Sequence, residues 1–485
     1  MAEQFYRQKD WSGGMADSEY SGGSGTFFMG YGVDIHSVPG VIKSSQALKK
    51  ESGSVVASFC NFVVYNNPNT FWFSNTGIVY KRTSGGTWTK VHDAATPILG
   101  AYVFNGYVYY ATATALGRIA VANANSEATW SSQVSNFAVL DSAAYHPMVV
   151  SGLYLLIGND TKIATVDDTS TFTASGTPDV TLEPVPLGHS INTMVNFGAD
   201  ILVGTKAIFP GASCYLLRWD LVSAAWVSAD AVEGEVLVNC FLPVDNYVFV
   251  QAGYHGRIYY YNGEILERFK TIPGEYSTYT SKAMISYPQS TCNFLGRALL
   301  GVSNYSGNPI TAEGVYSLAQ YDKGYPMALV CEYVISTYHN NAIKIGALFA
   351  DNTTSTLLVA WEDDTIALSP VFGVDVIDWT SKIISSYFKT RFIGGNRECK
   401  KTFEEYSVSY RSLPALTSLN VEVIPNYSGS QIPITLTDES AYAKYFSKQH
   451  IEAGEIQIRV DFNCDGDYSP EVTEVYTKWN NQDNL

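Results

Sequence analysis

The sequence predicts an all-β protein: a β-propeller of about seven blades, an N-terminal arm and a small C-terminal β-sandwich. Short runs of β-branched and aromatic residues alternate with turn residues, and this pattern returns at a nearly constant interval. Aromatic residues make up 14% of the chain, and 39 glycines are available for turns. Aromatic side chains fit the pleated surface of a sheet, whereas helical periodicity is scarce throughout.

The clearest copy of the repeat spans residues 101–122. Two apolar runs, 102–104 and 107–110, flank Asn105-Gly106, the dipeptide most typical of a two-residue hairpin turn. A second turn is predicted at Leu116-Gly117, followed by a third run at 118–121. Three strands joined by two tight turns make up most of one propeller blade.

The repeat recurs along the middle of the chain. Copies can be anchored at Phe62, Tyr102, Met148, Met194, Phe241, Phe294 and Gly346. The residue numbers give steps of 40, 46, 46, 47, 53 and 52. Propeller blades repeat at about 40–50 residues, and most leucine-rich and ankyrin repeats are shorter. We therefore place the propeller at 55–378, with six or eight blades as alternatives.

The two flanks differ from the repeats. Residues 1–54 form a glycine-rich arm, in which 27–33 is the candidate strand to complete the last blade and close the ring. From 379 to 485 the period is lost. Apolar and polar residues alternate at 386–393, 402–410, 418–424, 456–462 and 472–479. Several short strands with turns predict a sandwich, and only 439–446 resembles a helical turn.

Composition limits the function classes. The chain has 46 acidic and 30 basic residues, a net charge of −16, which argues against a nucleic-acid reader. The opening residues lack the apolar stretch of a signal peptide, and no run of 18 apolar residues predicts a membrane anchor. The seven cysteines lack paired spacing, so we expect buried free thiols.

One segment resembles half of a calcium loop. Asp461, Asn463 and Asp465 alternate ahead of Gly466, as oxygen ligands of a hard cation do. Val472 occupies the twelfth position, where a bidentate glutamate is needed. A turn between two sandwich strands is the preferred interpretation. The seven histidines are scattered, so we expect no metal and no cofactor.

Catalytic patterns are weak. The motif at 83–88, TSGGTW, resembles a sialidase Asp-box turn without its aspartate and is best read as an ordinary blade turn. Acid pairs occur at 167–168, 363–364 and 404–405. Neighbours on a strand point to opposite faces, so adjacency does not create the facing carboxylates of a glycosidase. We therefore assign no catalytic residue and expect no enzyme.

Tyrosines form the one candidate partner-binding group. They cluster around a single predicted turn and the segment after it, at Tyr254, Tyr259, Tyr261, Tyr276 and Tyr279. Exposed tyrosines bind sugars or proteins through an apolar ring and a polar tip. The alternative is that many of them belong to the blade core.

Four stretches resemble a known class of protein. Residues 13–22 (GGMADSEYSG) and 33–43 are similar to the arm of bacteriophage virion proteins that leads into a β-propeller. Residues 410–423 and 465–479 are similar to strand pairs of the small β-domain that ends those proteins. The architecture resembles the propeller-bearing tail nozzle of short-tailed phages.

The resemblance implies a non-enzymatic structural subunit of a viral tail, made in the host cytoplasm and located in the virion. It implies a homo-oligomeric, six-fold ring around the DNA exit channel, with adaptor and fibre proteins as neighbours. An acidic lumen would let DNA pass during ejection without specific binding. The alternatives are a virion adhesin for a host glycan or receptor, and a propeller glycosidase.

Overall fold

The structure is a computed structural model of the chain. It describes residues 3–20, 22–209, 211–273, 283–304, 313–322, 324–337, 343–364, 370–394, 400–426, 434–436, 444–447 and 451–481.

The middle of the chain is a seven-bladed β-propeller. Six blades are separate four-stranded antiparallel sheets, and the seventh such unit is part of a larger sheet. The first strands of consecutive blades contact one another, and the first strand of the last blade contacts that of the first. The ring is therefore closed, and the first strand of each blade lies at the hub.

The blades are numbered here in chain order. Their strands are Cys60–Asn66, Asn69–Ser74, Ile78–Arg82 and Trp88–Asp93 in blade 1; Gly100–Phe104, Tyr107–Ala111, Ala115–Ala120 and Ser135–Val139 in blade 2; Met148–Ser151, Tyr154–Asn159, Lys162–Asp167 and Phe172–Thr173 in blade 3; His189–Phe197, Asp200–Ala207, Cys214–Trp219 and Ser228–Val232 in blade 4; Val238–Val244, Tyr247–Ala252, Arg257–Tyr261 and Leu266–Thr271 in blade 5; Thr291–Phe294, Arg297–Asn304, Gly314–Gln320 and Met327–Tyr333 in blade 6; and Ile343–Asp351, Thr356–Asp363, Val371–Lys382 and Gln46–Lys50 in blade 7.

The predicted fold class is confirmed, and all seven anchor residues lie on the first strand of their blade. The Asn105-Gly106 turn has positive φ at both residues, 46° and 78°, as a type I′ hairpin requires. The second predicted turn is wrong, because Gly117 lies within a strand. A Cβ at Gly117 would meet the Tyr110 ring at 2.5 Å, so packing explains this glycine.

The arm closes the ring, but with a different strand from the expected one. Gln46–Lys50 pairs antiparallel with Val371–Lys382 as the outer strand of blade 7. The candidate segment 27–33 instead contributes Met29–Tyr31, which lies between the outer strand of blade 6 and Ser385–Lys389. Leu48 supplies the buried residue that completes the blade 7 core, which explains why this strand closes the ring.

The C-terminal lobe is a β-sandwich built jointly with the arm. One sheet contains Ser385–Lys389, Ser418–Pro425, Ile434–Leu436 and Ile456–Asn463, and through Met29–Tyr31 it continues into blade 6 and Met284–Ile285. The other contains Lys401–Tyr410, Lys444–Ser447, Ile451–Ala453 and Glu471–Asn481 together with the arm strands Gln4–Gln8, Val33–Asp34 and Ile42–Ser44. The remaining arm strands, Gly14–Met15 and Thr26–Phe27, pair in parallel.

A single apolar core unites these parts. It includes Trp11 and Phe27 from the arm, Phe388 and Val460 from the sandwich, and Leu329 from blade 6. The last propeller strand runs to Lys382, past the expected boundary at 378. The described residues of the arm therefore share one core with both lobes, because burial of their apolar side chains requires both.

Helical structure in the described residues is limited to one turn and one short helix. A 3₁₀ turn spans Val121–Asn123, and an α-helix spans Glu127–Gln133 within blade 2. The helix begins with Ser126, whose side chain accepts a hydrogen bond from the Thr129 amide. The segment 439–446, expected to be helical, lies partly outside the described residues, and its described end belongs to the strand Lys444–Ser447.

Candidate functional site

A buried cluster of charged residues joins the arm to blade 6. Arg297 forms an ion pair with Glu332, whose side chain is 1% exposed, and lies 3.5 Å from Asp34 of the arm. Arg297 also donates to the Ser37 hydroxyl at 3.0 Å. Burial raises the pKa of Glu332, and Arg297 opposes that rise. The contacts of Arg297 with Asp34 and Ser37 therefore hold the arm against blade 6.

Two further carboxylates make similar joints between blades. Glu51, which follows the closing strand, accepts hydrogen bonds from Arg82 and from Trp88 Nε1 of blade 1 at 2.7 and 3.0 Å. Glu235, between blades 4 and 5, accepts one from Arg257 at 2.8 Å. The segment with the Asp-box-like pattern therefore leads into a tryptophan that anchors blade 1 to the closing strand.

Glu313 of blade 6 is a buried carboxyl group with a raised pKa. Its pKa is raised to about 7, chiefly because of burial and partly because of Asp363 in blade 7. A carboxyl with such a pKa is suited to proton donation near neutral pH. Both side chains are nevertheless buried, at 6% and 3% exposure, so a polysaccharide has no access to them in this conformation.

Gln289 ties three blades together at the hub. Its carbonyl accepts from the Leu348 amide of blade 7 at 3.0 Å. Its side-chain oxygen accepts from the Val63 amide of blade 1 at 2.8 Å. Gln289 itself precedes the first strand of blade 6. These two bonds therefore oppose opening of the ring where blade 7 meets blade 1.

The structure does not assemble the calcium-loop candidates. Asp461 lies on a strand and accepts hydrogen bonds from Arg459 at 2.6 and 2.9 Å. Asn463 donates its amide to Ser418 at 2.9 Å. Asp465 lies in a turn closed by backbone bonds with Tyr468. Within the described ranges, no cluster of three histidine, cysteine or acidic side chains has metal-binding geometry.

The tyrosine hypothesis requires correction. Tyr259 and Tyr261 belong to the core between blades 4 and 5, with 8% and 0% exposure, and present no surface to a partner. They alternate with Ile258 and Tyr260 on a central strand, and both faces of a blade are covered by its neighbours. Tyr254 lies in the turn that precedes this strand in blade 5, whereas Tyr276 and Tyr279 lie outside the described residues.

An exposed apolar cluster was missed by the sequence reasoning. Leu187 is fully exposed, and Ile208 and Phe209 are 62% and 64% exposed, on two adjacent loops of blade 4. The Ile208 amide donates to the Gly188 carbonyl at 2.8 Å, which holds the loops together. Apolar residues in turns interrupt the strand pattern. This interruption is the feature of the sequence from which the exposed cluster could have been predicted.

A cavity of about 530 Å³ lies where the arm meets blades 5 and 6. Its walls include Asp10 and Asp17 of the arm, Lys270 of blade 5 and Tyr325 of blade 6. Lys270 donates to the Gly13 and Met15 carbonyls at 2.7 Å each, so its ammonium group fixes the arm. Burial lowers the pKa of Lys270 to about 8.

The described cysteines are free thiols, and Cys60, Cys214, Cys240 and Cys331 are buried. No helix in the described ranges combines the length and apolarity needed to cross a membrane.

Comparison with known proteins identifies no family. No protein-family model matches the chain, and no curated protein matches it. Among solved structures, the WD40 β-propeller domain of Doa1 aligns with a TM-score of 0.44 at 9% identity, over 69% of this chain and 96% of that one.

Two further solved structures are also similar to the chain. The extracellular domain of a hybrid two-component system from B. thetaiotaomicron gives a TM-score of 0.46 at 14% identity, over 84% of this chain and 47% of that one. This chain thus spans less than half of that domain. An exo-β-1,3-galactanase from Phanerochaete chrysosporium gives 0.33 at 10% identity, over 90% and 100%. At these identities the similarities concern the fold alone.

Proposed function

We propose that this protein is a structural subunit of a bacteriophage tail, a nozzle or tail-tube ring around the DNA exit channel. The observation that carries the proposal is the mechanical continuity of the chain. The arm closes the propeller with Gln46–Lys50 and bridges blade 6 to the sandwich with Met29–Tyr31. A subunit that transmits force between neighbours benefits from one core and few free sheet edges.

The charge balance fits a conduit. A net charge of −16 gives the chain an acidic average surface, which repels the phosphate backbone of passing DNA. In this proposal the protein resides in the virion tail, forms a ring of copies, six if the resemblance to nozzles holds, and contacts adaptor and fibre proteins. It uses no cofactor and binds DNA without specificity.

The test is mass spectrometry and cryo-electron microscopy of purified particles from the source phage. A closed ring of this chain on the tail axis is the expected result. A peripheral position would replace the conduit with the adhesin alternative. If the chain is absent from particles, an assay of reducing-sugar release from host polysaccharide decides whether it is a glycosidase. A basic lumen would overturn the proposed role of the charge.

One observation favours the adhesin as a second candidate. The cluster of Leu187, Ile208 and Phe209 is an exposed apolar surface on loops, where recognition residues are often found. Isolated protein would then bind host cells, and a variant with Phe209→Ser would bind less. Val222→Ser, at another exposed apolar residue of blade 4, is the matched control.

A further inference from the structure

The outer part of blade 2 holds an arginine between two aromatic rings. The guanidinium of Arg118 lies 4.0 Å from the ring centre of Phe137 and 4.6 Å from that of Tyr107. Its Nη1 donates a long hydrogen bond of 3.4 Å to the Tyr109 hydroxyl. Aromatic faces attract a cation and fix the plane of a guanidinium. We call Arg118, Phe137 and Tyr107 the arginine clamp.

Within the part of the chain that the structure describes, no carboxylate pairs with Arg118. Other arginines do pair with carboxylates, namely Arg7, Arg82, Arg218, Arg257, Arg297, Arg411 and Arg459. Arg268 and Arg391 also have no carboxylate partner among the described residues. Arg118 differs from them in the two aromatic rings that hold its guanidinium. Its planar fork matches a carboxylate in a bidentate geometry, so the clamp is prepared for an external carboxylate.

The clamp is accessible because of the next blade. Arg118, Tyr107 and Phe137 lie on the face of blade 2 that is directed toward blade 3. The outer strand of blade 3 spans only Phe172–Thr173, so it covers little of the rim of that face. Arg118 is half-buried, so part of its side chain is accessible to solvent.

The clamp also lies opposite the sandwich. In a closed ring of seven blades, the gap between blades 2 and 3 faces blade 6 across the hub. Blade 6 is the blade whose sheet continues into the sandwich. A ring of identical copies needs two different surfaces on each copy, placed so that head-to-tail contacts close. Clamp and sandwich therefore lie on different sides of the molecule, so a head-to-tail contact between two copies can join them.

We propose that the arginine clamp receives a carboxylate from the sandwich lobe of a second copy of this chain. The occupant follows from charge complementarity. Each copy carries an excess of acidic residues, and no carboxylate among the described residues pairs with the guanidinium of Arg118, which two rings preorganise. The inference rests on the proposed ring and adds the contact that joins neighbouring subunits. It gives copies that otherwise repel one another a specific attachment point.

The experiment measures self-association of the purified full chain by mass photometry and sedimentation at low salt. We expect Arg118→Gln to weaken association about tenfold, the change that loss of one well-formed charged contact produces. Arg118→Lys keeps the charge but lacks the planar fork, so it should give an intermediate loss. Phe137→Leu removes one face of the clamp and should weaken association while leaving the charge in place.

Lys206→Gln is the matched control, because it removes an exposed positive charge from blade 4, outside the clamp. Its association should equal that of the wild type, and circular dichroism verifies that each variant is folded. In Arg118→Lys, carbodiimide should couple the new amine to a carboxylate of a neighbour. Mass spectrometry should find the partner peptide within residues 400–481.

Three results would overturn the clamp contact. They are a wild type that does not associate at high concentration, an Arg118→Gln variant that associates as the wild type does, and a coupled peptide from outside the sandwich. If Arg118→Gln instead loses only binding to carboxylated host glycans, the clamp serves an adhesin and the contact is refuted. If virions contain a ring of this chain and the Arg118→Gln variant assembles as the wild type does, the proposed tail function stands and only the clamp contact is rejected.

Discussion

Replacement of Arg297 by methionine tests how the arm is held. The substitution keeps much of the side-chain volume but leaves Glu332 as a buried carboxylate without its cation. It also removes the ion pair with Asp34 and the hydrogen bond to Ser37. We expect the free energy of unfolding to fall by about 3–5 kcal/mol, the usual cost of an uncompensated buried charge.

The matched control is Arg411→Met. Arg411 also pairs with a glutamate, Glu471, but its side chain is 50% exposed. Solvent-exposed pairs contribute about 0–1 kcal/mol, so this change should be nearly silent. A double variant, Arg297→Met with Glu332→Leu, should recover part of the lost stability because it removes the buried Glu332 carboxylate, whereas the buried Asp34 still lacks its cation. Urea unfolding followed by tryptophan fluorescence measures all of these differences.

The pH dependence has a definite sign. Arg297 lowers the pKa of Glu332 against the effect of burial, so its removal raises that pKa further. A carboxyl whose pKa is raised in the folded state loses stability as pH rises, since the unfolded chain releases its proton more readily. The difference in the free energy of unfolding between Arg297→Met and the wild type should therefore become smaller as pH falls from 7 toward the usual pKa of a glutamate side chain.

Limited proteolysis is an independent test of how firmly Arg297 holds the arm. Loss of the contacts to Asp34 and Ser37 should make the arm more susceptible to cleavage than in the Arg411→Met control. The reasoning would be refuted if the two single variants lost equal stability, or if the double variant showed no recovery. A gap that widened toward low pH would also contradict the assignment of a buried, destabilised carboxylate.

Three further outcomes are expected. Leu48→Ala in the closing strand should lower the free energy of unfolding by about 2–4 kcal/mol. The control is Lys49→Ala, at an exposed position on the same strand, which should change that free energy little. Equal losses in urea unfolding would argue against closure by this strand. Calcium should not shift the melting temperature in differential scanning fluorimetry, because Arg459 engages the Asp461 carboxylate; a saturable increase would restore the metal site. Burial raises the pKa of the Cys240 and Cys331 thiols, so Ellman's reagent should label them only upon unfolding, and rapid labelling of the native protein would contradict that burial.

The local physics of strands and turns was readable from the sequence. A hairpin depends on residues close in the chain, so Asn105-Gly106 and the alternation at 456–462 predicted real elements. The repeat length located the hub strands because each blade solves the same packing problem with a similar number of residues. Isolated thiols were also predicted correctly from their spacing where the structure describes them.

Contacts between distant segments were decided only by the tertiary structure. The sequence alone does not reveal that Gln46 to Lys50 closes the ring, or that Met29 to Tyr31 bridges two lobes, since any short strand can occupy an open sheet edge. Which edge a strand takes depends on the core that its side chains complete. The same reason applies to Tyr259, which periodicity placed on a strand and which only the neighbouring blade placed in the core.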